Sequence, residues 1–359
     1  MSIADFFEVP PFGVDPVTRR ARLLEELLRL QLHHAAGCAP YARLLGALHP
    51  GASPARLEEV PWVPVGLFKS HRLSSVPESA VFKVMRSSGT TGQAPSQVVL
   101  DRETAELQSR ALARIIGAVA GQGRLPMLIV ERRDLLRRPE AGTARGAGVL
   151  GFMMAGRNHF FCLDEGYRLD VDGLRAWLAR HGDAPFLVFG FTFLVWQHLA
   201  EEARGLGLDL SRGILFHGGG WKKLQARAVG AAAFRDQLRD AVRLERVHSF
   251  YGMIEQVGSV FVEGGDGWLH VPSFAEVIVR DPRTLEALPP GQVGVIEVLS
   301  VLPRSYPGHA ILTEDLGVVH ALDAPEAGFR GTAFSVLGRV PRAEPRGCSD
   351  TLQPRTPEA

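Results

Sequence analysis

An α/β fold built around a mostly parallel sheet is predicted by three observations. Strand-like and helix-like stretches alternate from about residue 80 to residue 260, the pattern of linked β-α-β units. Two of the strands, Pro126–Glu131 and Phe186–Phe191, are unbroken apolar runs, the type that is buried on both faces. From residue 268 to 320 only strands remain (Ala275–Val279, Gly294–Leu299, Leu316–His320), which marks a smaller β-rich subdomain. The expected organisation is a helical arm over 1–60, an α/β core over 61–265, a β-rich subdomain over 266–337 and a short tail over 338–359.

Residues 1–15 are Pro-rich and predict an irregular arm. From Pro16 to Leu48 the leucines (Leu23, Leu24, Leu27, Leu28, Leu30) recur at helical spacing, and Cys38-Ala-Pro-Tyr41 breaks that helix. A short helix over 50–60 is expected, capped by Ser53. Residues 61–69 are expected to be extended, because each proline steers its predecessor away from helix. Ala80-Val81-Phe82 and Val98-Val99-Leu100 read as strands around a polar loop. Asp101 to Val119 reads as a helix with Thr104, Leu107, Ala111 and Ile115 on one face. Residues 132–148, rich in Arg and Gly, read as a surface loop. Helices follow over Asp170–His181 and Thr192–Leu206, then a strand over Gly213–His217, a helix to Val242 and a strand over Arg246–Phe250. The tail after Gly338 shows no periodicity.

Composition narrows the class. The chain has 359 residues, is 46% hydrophobic and carries a net charge of +1, so no bulk field favours nucleic acid or a membrane surface. It has no apolar run of about 18 residues and no leading basic and apolar segment, so a cytoplasmic location is expected. Its three cysteines, Cys38, Cys162 and Cys348, are far apart, which argues against a zinc ribbon or a disulfide framework. Only four of the 40 basic residues are lysine, namely Lys69, Lys83, Lys222 and Lys223, so lysine stands out where a compact point charge is useful.

The loop from Val84 to Ser96 holds two glycines and five hydroxyl side chains between its flanking strands. Glycine lets backbone approach a bulky anion, and N–H groups and hydroxyls donate to phosphate oxygens. Ser87, Ser88, Gly89, Thr90, Thr91 and Gly92 are therefore candidates to hold the phosphates of ATP. The loop is not a Walker sequence, because it lacks GxxxxGK[ST] and runs into a strand. Two further polar clusters, His217-Gly-Gly-Gly-Trp-Lys-Lys223 and Tyr251-Gly-Met-Ile-Glu255, also follow strands. In open α/β sheets, ligands bind outside the C-terminal strand ends, so the three clusters are expected to share one cleft.

The order Ser-Ser-Gly-Thr-Thr-Gly resembles the phosphate loop of the adenylate-forming superfamily. Tyr251-Gly-Met-Ile-Glu255 resembles its YGxTE motif, Leu312-Thr-Glu-Asp-Leu-Gly317 its TGDLG motif, and Leu337-Gly-Arg339 the hinge motif beyond. The resemblance implies that Tyr251 flanks the adenine, that Gly252 also binds the nucleotide, that Glu255 holds Mg²⁺ with weaker help from Thr91, that Asp315 accepts hydrogen bonds from the ribose hydroxyls, and that Arg339 reaches the ribose or phosphate. Three positions depart from the pattern: Ser96, Ile254 and Glu314. With Val63-Pro-Val-Gly-Leu-Phe-Lys69, Phe189-Gly-Phe-Thr-Phe193, the His217–Lys223 cluster and Arg346-Gly-Cys-Ser349, the chain is similar to the acyl-protein synthetase family of the LuxE type. The fold then expected is the N-terminal-type domain of adenylate-forming enzymes, without their large mobile C-terminal domain.

The residues carry a chemical reading beside that resemblance. A carboxylate attacking ATP meets several negative charges, which cations must neutralise. Lys222, Lys223 and, less directly, Lys69 are candidates, with Gly219 and Gly220 at the nucleotide. His217 could contact the acyl carboxylate or a phosphate, or be a buried hydrogen-bonded histidine. Phe189, Phe191 and Phe193 alternate along an extended segment, either lining an acyl pocket or packing the core. Cys348 sits among arginines, which raise the thiolate fraction; the family resemblance makes it the acyl acceptor. The expected function is activation of a carboxylic, fatty-type acid to acyl-AMP with ATP and Mg²⁺, then transfer to Cys348 as a thioester and on to a LuxC-type reductase or acyl carrier. Two alternatives are a phenylacetate–CoA ligase type of activity, with coenzyme A as acceptor, and a degenerate nucleotide- or acyl-binding module.

Overall fold

The computed structural model describes residues 3–87, 95–121, 123–137, 144–325 and 328–340. Helix α1 (Pro16–Gly37) starts where Asp15 Oδ1 accepts the Thr18 N–H at 2.9 Å and a proline fills the first turn. Its apolar stripe buries Leu23, Leu27 and Leu30. The chain breaks at Cys38 and resumes as α2 (Ala39–Leu48), with Pro40 in its first turn, as the prolyl break predicts. The arm is fastened by charge as well. Buried Arg19 donates to Glu276 Oε2 and Thr332 Oγ1, both at 2.9 Å, and Arg20 reaches the same carboxylate at 3.0 Å. Removing one partner would leave an uncompensated buried charge.

Ser53 caps no helix: a single 3-10 turn, Leu57–Glu59, begins after Arg56. The extended reading of 61–69 holds only for β1 (Val63–Pro64), because α3 (Leu67–Ser70) follows once the prolines end. The hairpin strands are β2 (Lys83–Arg86) and β3 (Gln97–Leu100), paired antiparallel, with the first displaced from Ala80–Phe82 by a 3-10 turn at Glu78–Ala80. Asp101 caps α4 (Arg102–Ala120) through the Thr104 N–H at 2.8 Å.

The core alternates as expected: β4 (Leu125–Arg132), α5 (Ala144–Met153), β5 (Gly156–Leu163), α6 (Val171–His181), β6 (Phe186–Phe191), α7 (Thr192–Val195), β7 (Gly213–Gly218), α8 (Ala231–Val242) and β8 (Arg246–Tyr251). Helix α5 and strand β5 were not legible in the sequence. The supposed surface loop becomes helix from Ala144, where Val149 and Phe152 find buried partners. Beyond α7 the helix widens into a π-helical segment, Trp196–Glu202, rather than continuing as an α-helix to Leu206. Period-two alternation explains the unbroken apolar strands. Met127, Ile129, Leu187 and Phe189 join one core with α4 and α5, while Leu128, Val130, Phe186 and Val188 join another with α6 and α8.

The strands beyond are β9 (Phe261–Glu263), β10 (Leu269–His270), β11 (Ala275–Arg280), β12 (Val293–Ser300), β13 (Ala310–Ala321) and β14 (Ala333–Arg339). They continue the parallel sheet: β5-β4-β6-β7-β8 runs parallel, and β9-β10-β14-β13-β12-β11 follows antiparallel. Strand β1 adds parallel to β13.

One consequence is acid sensitivity. His34 and His309 stack at 5.0 Å in the interior, and His34 bonds Ser75 Oγ and the Pro303 carbonyl. Burial holds the His309 and His217 imidazoles down to about 3, and those of His34 well below and of His248 to about 4. Unfolded, each titrates near 6.5, so below that pH the unfolded chain binds more protons. Stability is therefore full above about pH 6.5 and falls as pH drops, by about 1.4 kcal/mol per unit per histidine. The Glu297 carboxyl, raised by burial to about 7 despite Arg280 beside it, works the other way but is one group against four. Denaturant midpoints should fall between pH 7.5 and pH 5; a rise on acidification would contradict this.

Candidate active site

A cavity of about 760 Å³ lies over the C-terminal ends of the parallel strands. Its walls come from β6 (Phe191), β7 (His217) with Gly219 just beyond it, and β8 (Ser249, Phe250, Tyr251), with α4, α5 and β14 closing the sides. Helix α5 packs closely on α4 at Gly151, where a Cβ would stand 2.9 Å from Leu112 Cδ2, and its Gly148 faces Phe191 of β6. Gly219 takes a φ of +79°, a conformation that disfavours any side chain, just where the backbone turns beneath the cavity.

The motif residues Tyr251, Asp315 and Arg339, distant in sequence, meet beside the cavity, which Tyr251 lines. The Tyr251 hydroxyl donates to Asp315 Oδ2 at 2.7 Å, and Arg339 Nε stands 3.6 Å from Asp315 Oδ1. The Tyr251 ring stacks on Phe261 and abuts Phe334, and burial, then the Asp315 charge, pushes its phenol far up. Backbone irregularity does the aiming. The pairing of β12 with β13 shifts between Val295 and Glu297, so Thr313, Glu314 and Asp315 bulge outward, and Thr313 Oγ1 ties off the bulge by accepting the Asp315 N–H at 3.1 Å. A second shift, between β13 and β14, falls at Leu337, which lines the cavity. Glu314, the departure from the motif, pairs with Arg339 Nη2 at 2.8 Å.

His217 lines the cavity above Phe234, 4.5 Å from ring to ring, and its Nδ1 lies 3.0 Å from Thr192 Oγ1. Held neutral by burial and by the Arg235 charge, it is a hydrogen-bonding group and not a cation. Of the three phenylalanines, Phe191 lines the cavity. Phe189 lies beneath it, stacked on Phe152 at 4.3 Å. Phe193 is displaced from the expected extended face, because α7 starts at Thr192 and ends the period-two alternation; its ring meets the Arg145 guanidinium at 5.7 Å. Gly252 also lines the cavity, while Gly220 is buried beside it.

Glu255 is buried in a 3-10 turn, Ile254–Gln256, between cavity-lining neighbours, and its charge adds to the burial that raises Tyr306. Ser87 closes the base of the phosphate-loop candidate: its Oγ accepts the Ser96 N–H at 2.8 Å, and its own N–H donates to the Ser96 carbonyl. Ser88, Gly89, Thr90, Thr91, Gly92 and Cys348 lie outside the described residues. Lys222 and Lys223 open a 3-10 helix, Lys222–Arg227, directly after the Gly-rich turn; their side chains are outside the description. Lys69 lies on α3, away from the cavity lining.

Sequence reasoning missed several lining groups. Arg235 of α8 pairs with Glu263 of β9, and Glu263 Oε2 also accepts the Ser249 N–H at 3.2 Å. Thr192 and Trp221 complete the setting of His217. Their only local signal is proximity to strand ends, since the pairing is long-range. Among the described residues no three metal-ligating side chains cluster.

This sheet and its strand-end cavity define the class: the fold is that of the N-terminal domain of adenylate-forming enzymes. It matches 2-hydroxyisobutyryl-CoA ligase, solved with 2-HIB-AMP, with a TM-score of 0.70 at 19% identity over 91% of this chain and 69% of that one. ATP-bound MatB from Rhodopseudomonas palustris matches with a TM-score of 0.51 at 17% identity over 74% and 49%. The family description "Acyl-protein synthetase, LuxE" matches residues 19–356, and the chain belongs to that family. It is 26% identical to the long-chain-fatty-acid–luciferin-component ligase of Aliivibrio fischeri over 164 residues, 44% of this chain and 42% of that one. Against the ligase of the same name from Vibrio harveyi it is 29% identical over 44% and 41%. The chain thus spans less than half the length of these relatives. Among the described residues no helix is long and apolar enough to cross a membrane.

Proposed function

We propose that the chain activates a fatty-type carboxylic acid with ATP and then carries the acyl group on Cys348. In the first step a carboxylate oxygen attacks the α-phosphorus, the bond to pyrophosphate breaks, and acyl-AMP forms. In the second, the Cys348 thiolate attacks the acyl carbonyl, the carbon–oxygen bond to AMP breaks, and a thioester remains. A LuxC-type reductase or an acyl carrier is the proposed recipient.

The observation that carries this reading is one cavity with a broad apolar wall, lined also by Tyr251, whose hydroxyl bonds Asp315 beside Arg339. In this reading Tyr251 fixes the Asp315 carboxylate for the ribose hydroxyls, and Arg339 serves the ribose or phosphate. His217 donates or accepts a hydrogen bond at the carboxylate, and Phe191 borders the chain. The phosphate loop 87–92, the Gly219–Gly220 turn and the cations Lys222 and Lys223 take the triphosphate. Mg²⁺ bound to a triphosphate needs only one or two protein carboxylates, a donor set that Glu255 fits, with Thr91 as the proposed weaker ligand; the ion would neutralise charge. The test is carboxylate-dependent exchange of labelled pyrophosphate into ATP. Saturated fatty acids should support exchange, and exchange absent with every carboxylic acid tried would overturn the reading.

A further inference from the structure

The cavity opens through an apolar rim. Phe82, just before β2, is 53% exposed, Leu150 of α5 is 37% exposed, and Met154, in the turn after α5, is 61% exposed. All three line the same cavity, whose inner wall continues through buried Leu112, Phe152 and Phe191. Leaving large apolar side chains in water is unfavourable, and grouping them at one opening marks a surface that is covered in use. Strand β2 and helix α5 lie side by side, so the rim is continuous with the wall behind it. Two cations border it: Lys83 lines the cavity next to Phe82, and the Arg102 guanidinium sits 4.7 Å above the Phe82 ring.

We infer that Phe82, Leu150 and Met154 form the portal for the acyl tail and set the preference for chain length. The occupant is the distal part of the substrate's own alkyl chain, because the rim continues the wall of the cavity that receives the acyl group. The inference rests on the proposed acyl site. With the reacting carboxylate among His217 and Tyr251, a short acid ends within the buried wall, whereas a longer one must cross the rim. Each methylene that reaches the rim gains transfer free energy from leaving water, so selectivity rises with length only while these side chains are apolar.

The test uses Leu150→Glu, Met154→Glu and their double variant, exposed positions where substitutions cost little stability. Two quantities are read: displacement of a fluorescent long-chain fatty acid by hexadecanoate, and the ratio of kcat/KM for hexadecanoate to that for hexanoate in pyrophosphate exchange. The double variant should weaken hexadecanoate binding and lower that ratio by about tenfold, the worth of roughly two methylenes. A ratio equal to that of the unmodified chain, or equal losses for both acids, would overturn the portal. If the unmodified chain binds hexadecanoate but exchanges no pyrophosphate, and the variants weaken that binding, the portal stands and the adenylation reading fails.

Discussion

Cys348→Ala should keep carboxylate-dependent pyrophosphate exchange while losing all hydroxylamine-labile acyl label on the protein. On the proposed scheme the two half-reactions then separate cleanly, because adenylation would use the strand-end cavity and only the transfer would need a thiol. The other cysteines set a low background. Cys38 is 2% exposed, and Cys162 is wholly buried, where desolvation pushes its thiol far above the usual range and suppresses the thiolate. Acyl label retained on Cys348→Ala at the level of the unmodified chain would remove the cysteine from the mechanism. Label lost together with exchange would place Cys348 in the first step.

Asp315→Ala is the second large effect. The carboxylate accepts from Tyr251 and faces Arg339, so its removal strips both partners at once. A hydrogen bond to a charged group contributes about 1.5–3 kcal/mol, which corresponds to about 10- to 150-fold in kcat/KM for ATP. Asp315→Asn retains an acceptor for the Tyr251 hydroxyl and should recover thermal stability while remaining impaired with ATP. An Asp315→Ala chain with unchanged ATP dependence would exclude the ribose role. Glu314→Gly isolates the departure from the motif: it releases one of the two carboxylates that hold Arg339, so it should loosen that side chain without removing the Asp315 contact.

What the sequence revealed was local. Pro16, Asp15 and Asp101 act within a few residues, and the helices they start lie where periodicity placed them. Phe186–Phe191 was legible because burial on both faces leaves an unbroken apolar run. Helix α5 was not, since its glycines lower helix propensity and only contact with β6 and α4 repays them. At the site, Tyr251, Asp315 and Arg339 were legible as motif residues, yet the bulges that aim them were not. A bulge is a property of paired strands, visible only once β12, β13 and β14 are in register. Phe193 failed for a related reason: the period-two rule holds only while the chain stays extended, and α7 begins one residue earlier.

The central claim is that the acid is activated through its own oxygen as an acyl-AMP. Incubating the protein with ATP and a fatty acid carrying ¹⁸O in both carboxylate oxygens tests it directly, with AMP and phosphate analysed by mass after turnover. The account predicts one ¹⁸O atom in AMP for each acyl group transferred and none in inorganic phosphate. Label in inorganic phosphate with formation of ADP, or AMP released without label, would contradict it.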